Sequence, residues 1–298
     1  MQTREKEIRK ITIIGAVANI LLTVFKIIAG ILGRSAAMIA DGIHSLSDLL
    51  SDIIVLVFTH ISSKGRDRDH SFGHGKFETL ATLIVSVILI VVGARLMADG
   101  IQKIIGVAGG KVIPMPGHIA LWAAFASVAI KEALYWITIK TGHKVNSPIM
   151  IANAWHHRSD AFSSIGALVG IGGAILLGDR WTILDPIASC VISIAIIVVA
   201  VKMALPSLSE LLESSLPEAI EKEILDTALN VPGVDDIHEL QTRRNGISFI
   251  IDAHVVVCPE MSVVQAHDIA TAVEDALREK YGPETQVSIH IEPGREAK

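Results

Sequence analysis

The chain has 298 residues, of which 51% are hydrophobic and only 4% aromatic. Its mean hydropathy of +0.52 lies above that of water-soluble domains, so at least part of it belongs in a bilayer. A formal net charge of −5 without any basic stripe excludes nucleic acid as a natural partner, and two isolated cysteines, Cys190 and Cys258, exclude a disulfide framework or a zinc finger.

The charged start, Met1 to Lys10, runs into an apolar stretch with no small-residue cleavage site. This predicts a first helix that directs insertion itself rather than a removable leader. Stretches near 10–32, 38–61, 78–102, 113–140, 149–177 and 183–205 reach the roughly 20 residues needed to cross a hydrocarbon core. They predict a membrane domain of six helices over 1–206. The second and fifth are the least apolar, so their polar residues must face the bundle interior. Arg4, Lys6, Arg9 and Lys10 precede the first span, Lys64, Arg66, Arg68 and Lys76 lie between the second and third, and Lys140 and Lys144 lie between the fourth and fifth. The opposite loops hold only Arg34, Lys103, Lys111 and Arg180, which predicts both termini in the cytoplasm.

After Pro206 the composition becomes that of a soluble domain, 207–298. Pro217-Glu218 opens an amphipathic helix to about Asn230. Strands are predicted over 234–244 and 247–257 around the hairpin signal Asn245-Gly246. Ser262 caps a second helix to about Lys280, and 286–291 reads as a last strand. The order α-β-β-α-β predicts two helices on one three-stranded sheet.

One phrase occurs twice inside the membrane-length stretches. His44, Ser47 and Asp48 in the second correspond to His156, Ser159 and Asp160 in the fifth, all at one offset of 112 residues. Each copy is H-x-x-x-D, which places imidazole and carboxylate one turn apart on one helix face. A single intramembrane histidine reads as a packing residue. Two His/Asp pairs at matching register instead supply two nitrogens and two oxygens, a tetrahedral set that suits Zn²⁺ better than the oxygen-hungry Mg²⁺ or Ca²⁺. Fe²⁺, Co²⁺, Mn²⁺ and Cd²⁺ remain alternatives, because affinity order alone does not choose among them. Asp41 and Asn153, one turn earlier in each copy, are candidates for supporting the ligands or lining a cavity. His157 points about 100° away from His156, and Asp52 is a candidate for lining a cytoplasmic approach.

A second cluster, Asp67, His70 and His74, lies in the Gly-rich loop before the third span. Spacing alone fits a solvated loop as well as a three-ligand site. A third collection, His238, His254, His267, His290 and Glu292, falls in the soluble domain. Glu292 shares a strand face with His290. It forms a site only if the sheet brings His238 or His254 alongside, and otherwise these are surface histidines.

The paired motifs, the run His70-Ser71-Phe72-Gly73-His74-Gly75-Lys76, and the segments Gln265-Ala266-His267 and His290-Ile291-Glu292-Pro293 together resemble the cation diffusion facilitator family in its bacterial zinc/iron-type branch. The resemblance implies a homodimer of six-helix protomers in a bacterial cytoplasmic membrane. Each protomer carries a cytoplasmic metallochaperone-like, ferredoxin-like domain, and the protein exports divalent metal in exchange for protons without enzymatic chemistry or organic cofactor. Carried over by position, it implies a transport site of His44, Asp48, His156 and Asp160, a loop site of Asp67, His70 and His74, and a regulatory Zn²⁺ site of His238, His254, His267, His290 and Glu292. A charge interlock maps to Lys76 and Glu213. Some relatives have Asp where this chain has His44 and Glu292. A non-transporting membrane-anchored sensor would use the same sites. An intramembrane metalloenzyme is disfavoured by the absence of H-E-x-x-H.

Overall fold

The computed structural model describes residues 2–62, 67–144, 148–246 and 248–294, and side chains are placed for most of these. Two compact units emerge, one of 1–53 with 85–202 and one of 54–84 with 203–298. Six long helices come first: α1 (Gln2–Leu32), α2 (Ala36–Ser62), α3 (Lys76–Ala108), α4 (His118–Lys144), α5 (Pro148–Leu176) and α6 (Leu184–Leu211). Among the described residues five of them, all but α2, are long and apolar enough to cross a membrane. The helix missing from that set carries the first H-x-x-x-D motif, and its side chains at 51, 52 and 54–62, Asp52 included, lie outside the described ones. Lys64 and Arg66 lie outside the described residues as well. The sixth helix continues through Pro206 to Leu211 instead of ending before the proline.

Inside the first unit the core is made of small residues. Ala37, Ala40, Ala120, Ala123, Ala124 and Ala167 are fully buried, whereas Leu21, Val91 and Val169 point outward. Lipid tails are as apolar as leucine, so close approach between helices, rather than exclusion of water, holds such a bundle together. Gly33 shows how close: a Cβ there would stand 2.8 Å from the Ala120 Cβ, so α1 and α4 meet nearly backbone to backbone.

Two polar devices fix α2 in register. Ser35 caps it, accepting from the Met38 N–H at 3.0 Å, and Asp185 accepts from the Ser35 hydroxyl at 2.5 Å and from the N–H groups of Ala36 and Ala37 at 2.7 and 3.3 Å. A negative carboxylate at a helix N-terminus is favoured by the helix dipole as well as by the hydrogen bonds. One turn above the motif, Lys26 of α1 pairs with Asp41 at 2.8 Å, both fully buried, and donates to Ser45 and Ser164 at 2.9 Å each. Asp41 also accepts from Ser163 and Ser164 of α5 at 3.0 and 2.9 Å, so α1, α2 and α5 are stitched by one satisfied network. Removing one member of such a buried pair costs about 3–5 kcal/mol.

The second unit holds α7 (Glu218–Leu229), β1 (Asp236–Asn245), β2 (Ser248–Val257), α8 (Val263–Tyr281) and β3 (Gln286–Pro293). The sheet order is β1-β2-β3, with β1 and β2 antiparallel and β2 and β3 parallel. Ile251, Ala253, Val255 and Val257 alternate into a core with Ile224 of α7 and Val273 and Leu277 of α8, leaving Asp252 and His254 on the opposite face. Ser262 caps α8 in a full capping box with Gln265. The hairpin differs by one position from the predicted one. Asn245 pairs with Ser248 and so belongs to the strand, and Gly246 takes the left-handed φ of 62° that a side chain resists.

Candidate metal sites

Among the helices, one donor atom from each of Asp48, His156 and Asp160 lies within 4.8 Å of the others. The spacing explains the pair on α5: His156 Nδ1 stands 3.8 Å from Asp160 Oδ1, one turn on. Asp160 is nearly buried and its second oxygen, Oδ2, accepts from Lys131 Nζ of α4 at 2.6 Å. His44 is not among the three. It sits one turn before Asp48 on α2 with Nδ1 buried and, among the described residues, without a hydrogen-bond partner, and Asp48 Oδ2 is in the same condition. Buried polar atoms without a partner are costly, and a bound cation is one way to satisfy them.

Of the supporting residues, Asp41 faces Lys26 and the serines instead of the cluster, and Asn153 is exposed. The physical reason for the first is charge: a buried carboxylate goes to the nearest ammonium. His157 turns away from His156 and is buried, beside Gly15. Sequence reading missed Lys131 and Lys26. The signal was present, since each is a charge inside an apolar span, but the partner of each depends on which helices pack together.

The loop cluster lies in the second unit, where the donor atoms of Asp67, His70 and His74 come within 4.8 Å of one another. Asp67 Oδ1 accepts from the N–H groups of Asp69 and His70 at 3.0 and 2.7 Å, an Asx turn that aims Oδ2 at His74 Nε2, 3.4 Å away. The His70 N–H is the main reason its carboxyl is held below the usual carboxylate range. Gly73, at φ 84°, closes the turn back to the His70 carbonyl. The Phe72 carbonyl accepts from Asn245 and Gln286 at 2.7 and 3.1 Å, tying the loop to the hairpin tip and to β3. Close by, Lys76 pairs with Glu213, whose other oxygen takes Arg243 at 2.9 Å.

The sheet cluster follows from register. His238 lies opposite His254 and His254 opposite His290, so three imidazoles form a row across the face that turns away from the core. Glu292 binds into the row: its Oε1 is 2.9 Å from His254 Nδ1 and its Oε2 is 3.3 Å from His238 Nε2. The His254 hydrogen bond, ahead of the neighbouring imidazole charges, keeps the Glu292 carboxyl below its ordinary value. Of these, among the described residues, His238, His254 and Glu292 bring donor atoms all within 4.8 Å of one another. His290 Nε2 stands 3.9 Å from Glu292. His267 does not join. It lies on the exposed side of α8, a helix whose inner side packs against the other face of the sheet. A bulge between His238 and Gln241, with Glu239 at φ 50°, brings the Glu239 carboxylate 3.6 Å from His254 Nε2, an arrangement that strict alternation forbids.

Membrane-length helices that bring carboxylates and imidazole together, followed by a sheet domain with a second such cluster, define a helical membrane protein built to handle metal ions. The chain belongs to the cation efflux, or cation diffusion facilitator, family: residues 12–212 match its transmembrane domain and residues 216–294 its cytoplasmic domain. Members of this family are transporters and not enzymes. Metal tolerance protein C1 of Arabidopsis thaliana is 38% identical over 97% of this chain, which spans 63% of that protein's length. The manganese efflux system protein MneP of Bacillus subtilis is 33% identical over 97% of both chains. Magnetosome protein MamM of Paramagnetospirillum magneticum is 35% identical over 90% of this chain and 83% of its own. A nickel form of a MamM cytoplasmic-domain variant is 30% identical over 26% of this chain and all of that one, with a TM-score of 0.25.

Proposed function

We propose that this chain exports divalent transition-metal cations, with Zn²⁺ as the main cargo, from the cytoplasm in exchange for protons. It does so as a homodimer in a bacterial cytoplasmic membrane, with both termini inside, a transport domain over 1–206 and a regulatory domain over 207–298. The observation that carries the reading is the convergence of Asp48, His156 and Asp160 among the helices, beside the unpartnered atoms of His44 and Asp48. His44, Asp48, His156 and Asp160 hold the cargo. Imidazole must be neutral to bind a metal, and its unperturbed pKa of about 6.5 sits near physiological pH, so metal and proton compete for one set of lone pairs. Facing the cytoplasm the site loads metal and sheds protons, and facing outward it does the reverse as helices rock. Asp67, His70 and His74 form an ancillary site. The cluster of His238, His254, His290 and Glu292 binds Zn²⁺ as a regulator and favours a closed dimer to the extent of its differential affinity for that state.

Mn²⁺ is the second reading for the cargo, favoured by the end-to-end likeness to a protein named for manganese efflux. Reconstituted vesicles under an imposed pH gradient separate the readings. Zn²⁺ flux that exceeds Mn²⁺ flux and collapses the gradient supports the first, and Mn²⁺ flux alone supports the second. Binding without any flux leaves a membrane-anchored sensor.

A further inference from the structure

Asp160 has its two oxygens committed to different neighbours. Oδ1 faces His156 Nδ1 at 3.8 Å, while Oδ2 is held by Lys131 Nζ at 2.6 Å, with the aspartate and lysine side chains both nearly excluded from solvent. The pair Lys26–Asp41 is a different case, because there the carboxylate is saturated by three partners that have nothing to do with the cluster. Among the described residues Lys131 is the lysine that places a positive charge on a residue that we assign to cargo binding.

We infer that Lys131 is a positioning residue that sets both how tightly and which cation the intramembrane cluster binds. The inference rests on the transport-site reading given above. It has two parts, charge and geometry. With Lys131 present, Asp48, Asp160 and Lys131 leave the empty cluster one negative charge, and a divalent ion overshoots it by one positive charge. Without the lysine the two carboxylates would neutralise the ion and hold it. A carrier needs binding favourable enough to load and weak enough to leave, and a tethered ammonium within the cluster supplies the second requirement. As for geometry, an ammonium on Oδ2 leaves Asp160 one free oxygen, so the carboxylate binds in monodentate fashion. That suits a small four-coordinate ion and disfavours larger ions that gain from two-oxygen chelation or from added oxygen ligands.

The test is metal titration of full-length protein in detergent, with His70→Ala and His254→Ala disabling the loop and sheet clusters. Zn²⁺ and Cd²⁺ are the probes. Lys131→Gln keeps a hydrogen-bond donor for Asp160 and removes the charge. We expect the Zn²⁺ dissociation constant to fall by about tenfold or more, since a unit charge beside a divalent ion in a poorly screened site is worth at least that. We expect the Cd²⁺ constant to fall further, so that Zn²⁺ preference shrinks. A role confined to folding predicts weaker binding of both ions, and either that or unchanged constants overturns the inference. If the variant does not fold, Co²⁺ in the same background with Lys131 intact decides: intense visible bands of four-coordination support the monodentate site, and the weak bands of six-coordination overturn it. Asp160→Asn separates the two layers of argument. If it leaves Zn²⁺ binding untouched, the transport-site reading fails. If it abolishes binding while Lys131→Gln changes nothing, only the role of Lys131 falls.

Discussion

The intramembrane cluster and the sheet cluster use the same two kinds of donor, imidazole and carboxylate, and are built by opposite means. Between the helices, a period of 3.6 residues and close packing of alanines bring Asp48, His156 and Asp160 together, and a lysine is present to offset the charge. On the sheet, cross-strand register lines up His238, His254 and His290, and among the described residues Glu292 pairs only with histidines. The first arrangement resembles a carrier that must let go. Among the described residues no ammonium competes in the second, which stands open to solvent and suits a site that reports metal by staying occupied.

The largest effect that would break this contrast belongs to Asp160. Asp160→Ala removes a charged ligand from the proposed transport site and is expected to reduce Zn²⁺ flux in vesicles by about a hundredfold or more while leaving insertion intact, since one ligand charge in low dielectric is worth several kcal/mol. Wild-type flux would falsify the site. Next comes His44→Asp, which replaces nitrogen by oxygen and is expected to shift competition in favour of Cd²⁺ over Zn²⁺. An identical ratio before and after means that His44 does not choose the ion. His290→Ala, at the sheet, is expected to lower flux without eliminating it and to weaken the Zn²⁺-dependent approach of spin labels on the two cytoplasmic domains. Complete loss of flux would erase the distinction between the two regions.

The smallest effect concerns the sheet domain by itself. Burial, then the negative charge and hydrogen-bond acceptance of Glu223, push the Tyr281 phenol from its ordinary 10.0 up to about 12. A raised folded-state pKa means that the unfolded chain ionises first. The contribution is therefore complete below pH 10 and is lost as pH rises toward 12. Ultraviolet titration of a Tyr135→Phe variant checks it, and a midpoint near 10 would mean that neither the burial of Tyr281 nor its contact with Glu223 persists in solution.

Much of this was legible beforehand because it depends on local pattern. The six long helices, the Ser262 cap and the Asn245-Gly246 turn signal are short-range features, and the repeat of His44 and Asp48 at His156 and Asp160 is visible at a glance. What escaped depends on partners. Lys131 is an anomaly in an apolar run until α4 lies against α5. The bulge at Glu239 exists only relative to β2, and alternation alone would send that carboxylate to the wrong face. His267 looked like a fifth ligand because a motif lists residues without saying which side of a sheet their helix covers.

The loop that carries Asp67, His70 and His74 meets the hairpin through backbone. A Cβ on Gly75 would strike the Asn245 carbonyl oxygen at 2.7 Å, one on Gly246 would stand 3.0 Å from the Gly75 Cα, and the Phe72 carbonyl is held from two strands at once. Two glycines with nothing between them behave as a bearing with no play. The loop is thus fastened through backbone to the end of β1 and to β3, so a displacement of the residues before α3 bears directly on strands whose partner Asn245 stands 173 residues further along the chain from Phe72.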